Sequence, residues 1–348
     1  MKNVKKLMLM SVAFLSLAAT GCSGGNNQNT SKEPERDPNE VSVFFLSGQS
    51  NMEGNSGTSG LADAFTELGF EDYDEISQGM KTVQVSTYMC GYGQLDKNNL
   101  TNNRSVHATN TENQIAGKFV DAKPGLGTSD TKMGPEFGAA YALKDAATEE
   151  NPVFFIKMAS NGSGFAQSGT DYNWPVKDDQ GNFPEVSLYN TFAKPFFENN
   201  LKLIEDMGLK PVVKGWLWHQ GESDCAAEKI PVYAQRLGDM VAQLREDFAS
   251  YARDEDGENI AFIDGMVYQG EGTAWTTPNL MNAEKQKFAD SAENNYLVDI
   301  YANEEQIPAN ELKPGNPGGD SMHYNTKSSL RLGMAYGQII LDNGLLDL

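Results

Sequence analysis

Ser50 follows the nearly all-apolar segment Val41 to Leu46 through Ser47-Gly48-Gln49. A serine at the mouth of a strand, after a glycine that permits a tight turn, can aim its hydroxyl and its own backbone N–H at a bound carbonyl. The hydroxyl alone is a weak nucleophile and needs an imidazole within reach. The chain has only 3 histidines, His107, His219 and His323. His107 lies in an Asn/Thr-rich stretch without strand context, whereas His219 directly follows an apolar segment and is a real competitor. His323 stands three positions after Asp320. A turn of that length can hold the carboxylate against one ring nitrogen while the other faces Ser50, fixing the tautomer and stabilising the imidazolium. Asp320 could instead cap the final helix, with Gly318-Gly319 turning the chain before it.

Acyl transfer also needs donors for the oxyanion. Gln220-Gly221-Glu222-Ser223-Asp224 follows the apolar segment ending at Trp218, so the Gln220 amide can point across strand ends. Asn161-Gly162-Ser163-Gly164 follows another such segment and can present a backbone N–H from a tight loop. Either loop alone reads as ordinary Gly/Asn turn chemistry, but with the Ser50 turn they make three at the ends of candidate strands. The order Ser, Asp, His matches an α/β-hydrolase, yet Met52 stands where that fold's nucleophile turn requires a second glycine.

The elements that must carry these residues alternate. Apolar segments recur at Val153 to Met158, Val212 to Trp218, Ile260 to Met266 and Tyr296 to Ile300. Helical patterns cover Glu136 to Ala146, part of Ser187 to Met207, Ile230 to Phe248, Ala283 to Asn294 and Lys327 to Leu341. Strand alternating with helix predicts a parallel sheet with helices on both faces. Gly54 to Lys132 is rich in Gly, Asn, Asp and Thr, with one strand-like piece at Thr82 to Met89. It reads as a long insertion over the carboxyl ends of the strands, where ligands bind in open α/β sheets.

Lys2, Lys5 and Lys6 precede an apolar run, Leu7 to Ala18, and Ala19-Thr20-Gly21-Cys22 closes it. This order resembles a bacterial lipoprotein leader over 1–22, with Cys22 as the lipidated residue and the cell envelope as destination. An ordinary secretory cleavage nearby is the alternative. Residues 23–40 are polar and read as a flexible tether, leaving 41–348 as one domain. The net charge of −21 becomes more negative once the leader lysines are lost, which argues against a nucleic-acid groove. Cys90 and Cys225 are expected either to pair or to stay free.

Phe45-Leu46-Ser47-Gly48-Gln49-Ser50-Asn51-Met52-Glu53-Gly54 resembles the first block of the SGNH-type carbohydrate esterases, in their acetylxylan esterase and sialate O-acetylesterase-like branch. Trp218-His219-Gln220-Gly221-Glu222-Ser223-Asp224 is similar to that branch's other strong motif, and Asp320-Ser321-Met322-His323-Tyr324 to its closing block. Gly134-Pro135-Glu136 and Ala159 to Gly164 match weaker intermediate motifs. The resemblance implies a three-layer α/β/α sandwich with a central parallel sheet, SGNH hydrolase-like and flavodoxin-like. It implies Ser50 as nucleophile, His323 as base and acid, and Asp320 as its orienting partner. Oxyanion donors become the Ser50 N–H, Gly162 and the Gln220 side chain. Gln49, Asn51, Met52, Asn161, His219 and Glu222 are then expected to line or support the pocket.

The implied reaction is deacetylation of an acetylated glycan through an acetyl-serine, without metal or cofactor. Trp174 and Trp275 fall in loops, where each could stack on a sugar or anchor packing. A non-catalytic glycan-binding lipoprotein and an esterase for non-carbohydrate esters or thioesters are the competing expectations.

Overall fold

The computed structural model describes residues 37–70, 72–90, 118–166, 173–177, 180–182, 184, 187–253, 257–270, 273–301 and 322–346. Four of the expectations above, on Cys22, the 23–40 tether, His107 and Asp320, fall wholly or almost wholly outside them.

β1 (Glu40–Gly48) is buried along its whole length. Its side chains sort by parity. Val41, Val43 and Phe45 enter one hydrophobic layer, and Phe44 and Leu46 enter the other. A strand apolar at nearly every position is stable only when covered on both faces, and β1 is.

After β1 come α1 (Ser50–Glu53), β2 (Ser56–Gly57), α2 (Leu61–Leu68), α3 (Tyr73–Ile76), β3 (Met80–Cys90), β4 (Val120–Ala122) and β5 (Lys132–Met133). The middle of the chain supplies α4 (Glu136–Leu143), β6 (Val153–Ser160), α5 (Lys194–Asp206) and β7 (Lys210–His219). The last part supplies α6 (Ile230–Asp247), β8 (Ala261–Gly265), α7 (Pro278–Ala289), β9 (Asn295–Val298) and α8 (Thr326–Asp342). Seven strands form one sheet in the order β4-β3-β6-β1-β7-β8-β9. Every neighbouring pair is parallel except β3 with β4. Helices α2, α4 and α8 pack on one face, and α5, α6 and α7 on the other. The result is the expected mostly parallel α/β/α sandwich.

Two local expectations change. Thr82 to Met89 is a strand as expected, but it lies within the sheet rather than in an insertion over it: it belongs to β3, between β4 and β6. α7 begins at Pro278 rather than Ala283, because proline at a first helical position has its φ already set and lacks a donor there anyway. Cys225 is a free, buried thiol, so it does not bridge to Cys90.

Gly48 ends β1 with φ +146°, and a Cβ there would lie 1.9 Å from the His219 carbonyl oxygen. Side chains rarely adopt such a backbone, and the obstacle is backbone that cannot swing away. Gly48→Ala is expected to cost at least about 3 kcal/mol and to displace the Ser50 turn. Urea unfolding of the purified variant checks this, a loss below about 1 kcal/mol being the contrary result.

Candidate active site

Three neighbouring strands end at one level. Gly48 of β1 lies opposite Ala159 of β6 and His219 of β7. The Ser50 turn, the Asn161–Gly164 loop and the Gln220–Asp224 loop therefore leave the sheet side by side. Consecutive strands β6 and β7 flank β1 on opposite sides, so the loops open over a switch point in strand order. The Gln49 N–H donates to the His219 carbonyl at 3.0 Å, which extends the ladder to the residue before the serine. Ser50 is the first residue of α1 and is 7% exposed.

Asn51 joins this turn to the other end of the chain. Its Oδ1 accepts the Tyr324 N–H at 3.1 Å, and its Nδ2 makes a long contact of 3.5 Å with the Met322 carbonyl. The residues on both sides of His323 are thus held by the residue after Ser50. Nδ2 also donates to Glu222 Oε1 at 2.7 Å, tying in the β7 loop. Two further bonds fix the closing segment: Ser56 Oγ donates to the Tyr324 carbonyl at 2.8 Å, and Thr326 Oγ1 to the Gly57 carbonyl at 2.6 Å. Asn325 then caps α8 by accepting the Ser328 N–H at 2.8 Å. His323 itself is half-buried.

The Gln220 side chain departs from the expected oxyanion role. It is fully buried, and its Nε2 lies 2.8 Å from Asp224 Oδ2, 3.2 Å from Gln49 Oε1 and 3.3 Å from the Ser163 carbonyl. Two N–H bonds shared among three acceptors leave none facing the pocket. Gln220 is a brace in this geometry, and Gln49, which also accepts the Ser223 N–H at 3.1 Å, is its counterpart. Asp224 accepts the Phe165 and Ala166 N–H groups at 2.9 Å each, folding the loop after β6 onto the loop after β7. Trp174 is also inside. It is fully buried, donates Nε1–H to Ser163 Oγ at 2.8 Å and packs edge-on to Trp218 at 4.8 Å. It anchors packing and cannot stack on a sugar, whereas Trp275 is half-buried. Met52 is a core residue, fully buried beneath α1.

Residues 40–342 match the family model described as carbohydrate esterase, sialic acid-specific acetylesterase. The chain belongs to this family. Solved structures agree on the fold. A protein from Arabidopsis thaliana is 17% identical, with 88% of this chain and 99% of that chain covered at a TM-score of 0.51. NanS is 14% identical, with 89% and 99% covered at a TM-score of 0.53. No curated protein sequence matches significantly. The chain is therefore a carbohydrate esterase.

Beneath the esterase's strand ends lies a set of buried charges that patterning in the sequence did not reveal. Lys157 on β6 and Glu136 on α4 pair at 3.0 Å, each 1% exposed. The same ammonium donates to the Glu53 carbonyl at 3.1 Å and the Leu126 carbonyl at 2.8 Å, and the Gly134 N–H donates to Glu136 Oε1 at 3.0 Å. This cage holds the carboxyl end of α1, and hence Ser50, to the sheet. Across β7, Lys285 of α7 meets Asp264 of β8 at 2.6 Å, also fully buried. Burial lifts the Asp264 pKa to about 6, with Lys285 opposing the rise. His219 is fully buried too, its Nε2 3.5 Å from Glu222 Oε1 and its Nδ1 3.4 Å from the Tyr336 hydroxyl. This enclosed position is that of a structural support.

Two buried glutamates titrate in opposite directions. Burial acts to raise the Glu222 pKa, but the His219 imidazole, the Asn51 amide and a backbone N–H outweigh it and hold it at about 2. Burial pushes Glu53 up to about 8, against the pull of Lys157 and the Asn161 N–H. A depressed folded pKa contributes stability that is complete above the ordinary value of 4.5 and fades as pH falls toward 2. A raised one does the reverse: the Glu53 contribution is complete below 4.5 and fades as pH rises to 8. Each slope is about 1.4 kcal/mol per pH unit. Urea midpoints should therefore show a shallower acid loss in Glu222→Gln and a shallower alkaline loss in Glu53→Gln. Profiles parallel to the unmodified protein would contradict both assignments.

Proposed function

We propose that the esterase removes O-acetyl groups from an acetylated glycan, acetylxylan or a related polymer or an O-acetyl sialic acid, through an acetyl-Ser50 intermediate. The observation that carries this reading is the Asn51 clamp, which gathers the backbone flanking His323 onto the turn that bears Ser50. His323 takes the Ser50 proton as the hydroxyl attacks the acetyl carbonyl. The tetrahedral oxyanion is received by the Ser50 N–H and by the Gly162 turn. On collapse, the imidazolium gives its proton to the departing sugar oxygen. Water then attacks the acetyl-serine as His323 removes its proton, and the imidazolium returns that proton to Ser50 Oγ as the acyl bond breaks and acetate leaves. Asp320 orients the imidazole and stabilises its charged form.

Gln220 acts in this scheme through Gln49 and Asp224, by holding two of the three loops in register. Trp275 is the aromatic assigned to the sugar-facing rim. Cys22 is the lipidation site, which would tether the catalytic domain at a membrane of the cell envelope by an acyl anchor; mass spectrometry of the membrane-extracted protein tests that assignment.

Acetate release from acetylated xylan, from an O-acetyl sialic acid and from an aryl acetate tests the substrate class. Release from at least one glycan, lost in His323→Ala by about 10³-fold or more, is the expected outcome. Turnover of the aryl acetate alone would keep the ester chemistry and reject the carbohydrate substrate.

A further inference from the structure

Two side chains that leave the Ser50 turn reach across to the end of β6. Glu53 Oε2 accepts the Asn161 N–H at 2.9 Å. Asn55 Nδ2 donates both to the Ser50 carbonyl at 2.9 Å and to Asn161 Oδ1 at 3.1 Å. Asn161 is therefore gripped at its backbone and at its side chain, and both grips start within five residues of the nucleophile. Thr128 reinforces them, its hydroxyl lying 3.3 Å from Asn55 Oδ1 and 3.1 Å from the Gly54 carbonyl. The residue after Asn161 is Gly162, whose φ of +68° makes the turn.

An oxyanion site gains its advantage from donors fixed in advance, and small displacements are costly. We propose that Glu53 and Asn55 are positioning residues that set the spacing between Ser50 and the Gly162 turn, so that the two oxyanion donors are held together before substrate arrives. This rests on the reading of Ser50 as nucleophile and deepens it. Glu53 suits a fixed strut. Its carboxyl is 1% exposed, and the charged groups packed against it are Lys157 of β6, which binds its backbone carbonyl, and Glu136 of α4 beyond. With its pKa lifted by burial to about 8, it is mostly neutral at pH 7, where glutamine is a close mimic that keeps an acceptor for Asn161.

The test is kcat and KM for an acetyl ester in Glu53→Ala, Asn55→Ala and Glu53→Gln, with active sites counted by an aryl phosphonate that reacts with the nucleophile. Each alanine variant should lose about 10²-fold in kcat per titrated site, with KM changed less than about threefold. Glu53→Gln should stay within about threefold of the unmodified enzyme. A merely structural role would lower the titrated fraction and leave kcat per site unchanged, and that result would overturn the proposal. A glutamine variant as slow as the alanine variant would also overturn it. Should Glu53→Ala not fold, the half-buried Asn55 carries the measurement. Ser50→Ala run alongside separates the failures: activity retained there rejects the nucleophile reading, whereas an inactive Ser50→Ala beside unaffected struts rejects only the positioning.

Discussion

Ser50→Ala is expected to remove acetate release almost entirely, by about 10⁴-fold or more, while leaving the fold intact. Ser50 makes its structural contributions through its backbone: the Gly54 N–H and the Asn55 amide both bond to its carbonyl, at 2.9 Å each. Alanine keeps those bonds, and the first position of α1 tolerates it. What disappears is the hydroxyl proposed to form the acyl bond. Members of a nucleophile–base unit act together, so removing one forfeits nearly all their joint effect. Circular dichroism and a urea midpoint within about 0.5 kcal/mol of the unmodified protein would accompany the loss. Equal rates in the two proteins would reject Ser50.

The second large effect is on stability. Lys157→Met should destabilise the esterase by about 3–5 kcal/mol, because it strands the Glu136 carboxylate in the core and removes the donor from two carbonyls. The cost arises from the partner left behind rather than from the strength of the pair. Removing both charges, in Lys157→Met with Glu136→Leu, should recover much of the loss. Stability recovered without activity would be expected, since the Glu53 carbonyl loses its anchor and α1 its seat. Urea unfolding of the two variants beside the unmodified protein decides it. A Lys157→Met cost below about 1 kcal/mol would mean that water or a neighbour replaces the ammonium.

How much of this was legible beforehand depended on the kind of signal. β1, β6 and β7 were readable because a strand covered on both faces must be apolar throughout, and Val41 to Leu46 and Val212 to Trp218 are nearly so. β3 was legible as the strand-like piece Thr82 to Met89, but its place inside the sheet was not, because Gln84, Ser86 and Thr87 make it more polar than its neighbours and it lies in a Gly- and Asn-rich stretch. The three loops at the ends of β1, β6 and β7, one of them bearing Ser50, followed from Gly-containing motifs after apolar segments. The clamps between them did not, because a bond such as Asn51 to Tyr324 joins residues 273 positions apart. The buried charges, which periodicity does not mark, have a different signal. A lysine in the middle of Phe154-Phe155-Ile156-Lys157-Met158 cannot be buried without a partner, and neither can the aspartate in Phe262-Ile263-Asp264. Each marked an ion pair under the site. Gln220 shows the opposite limit. Its position in a motif suggested an outward donor, and only the folded loop reveals that Asp224, Gln49 and Ser163 occupy it.

The most direct measurement is intact and peptide mass spectrometry of the esterase quenched by acid during turnover of an activated acetyl ester. One acetyl group carried on the peptide containing Ser50, absent from Ser50→Ala, is the expected result. An esterase turning over with Ser50 unmodified, or with the acetyl group on another residue, would contradict the mechanism.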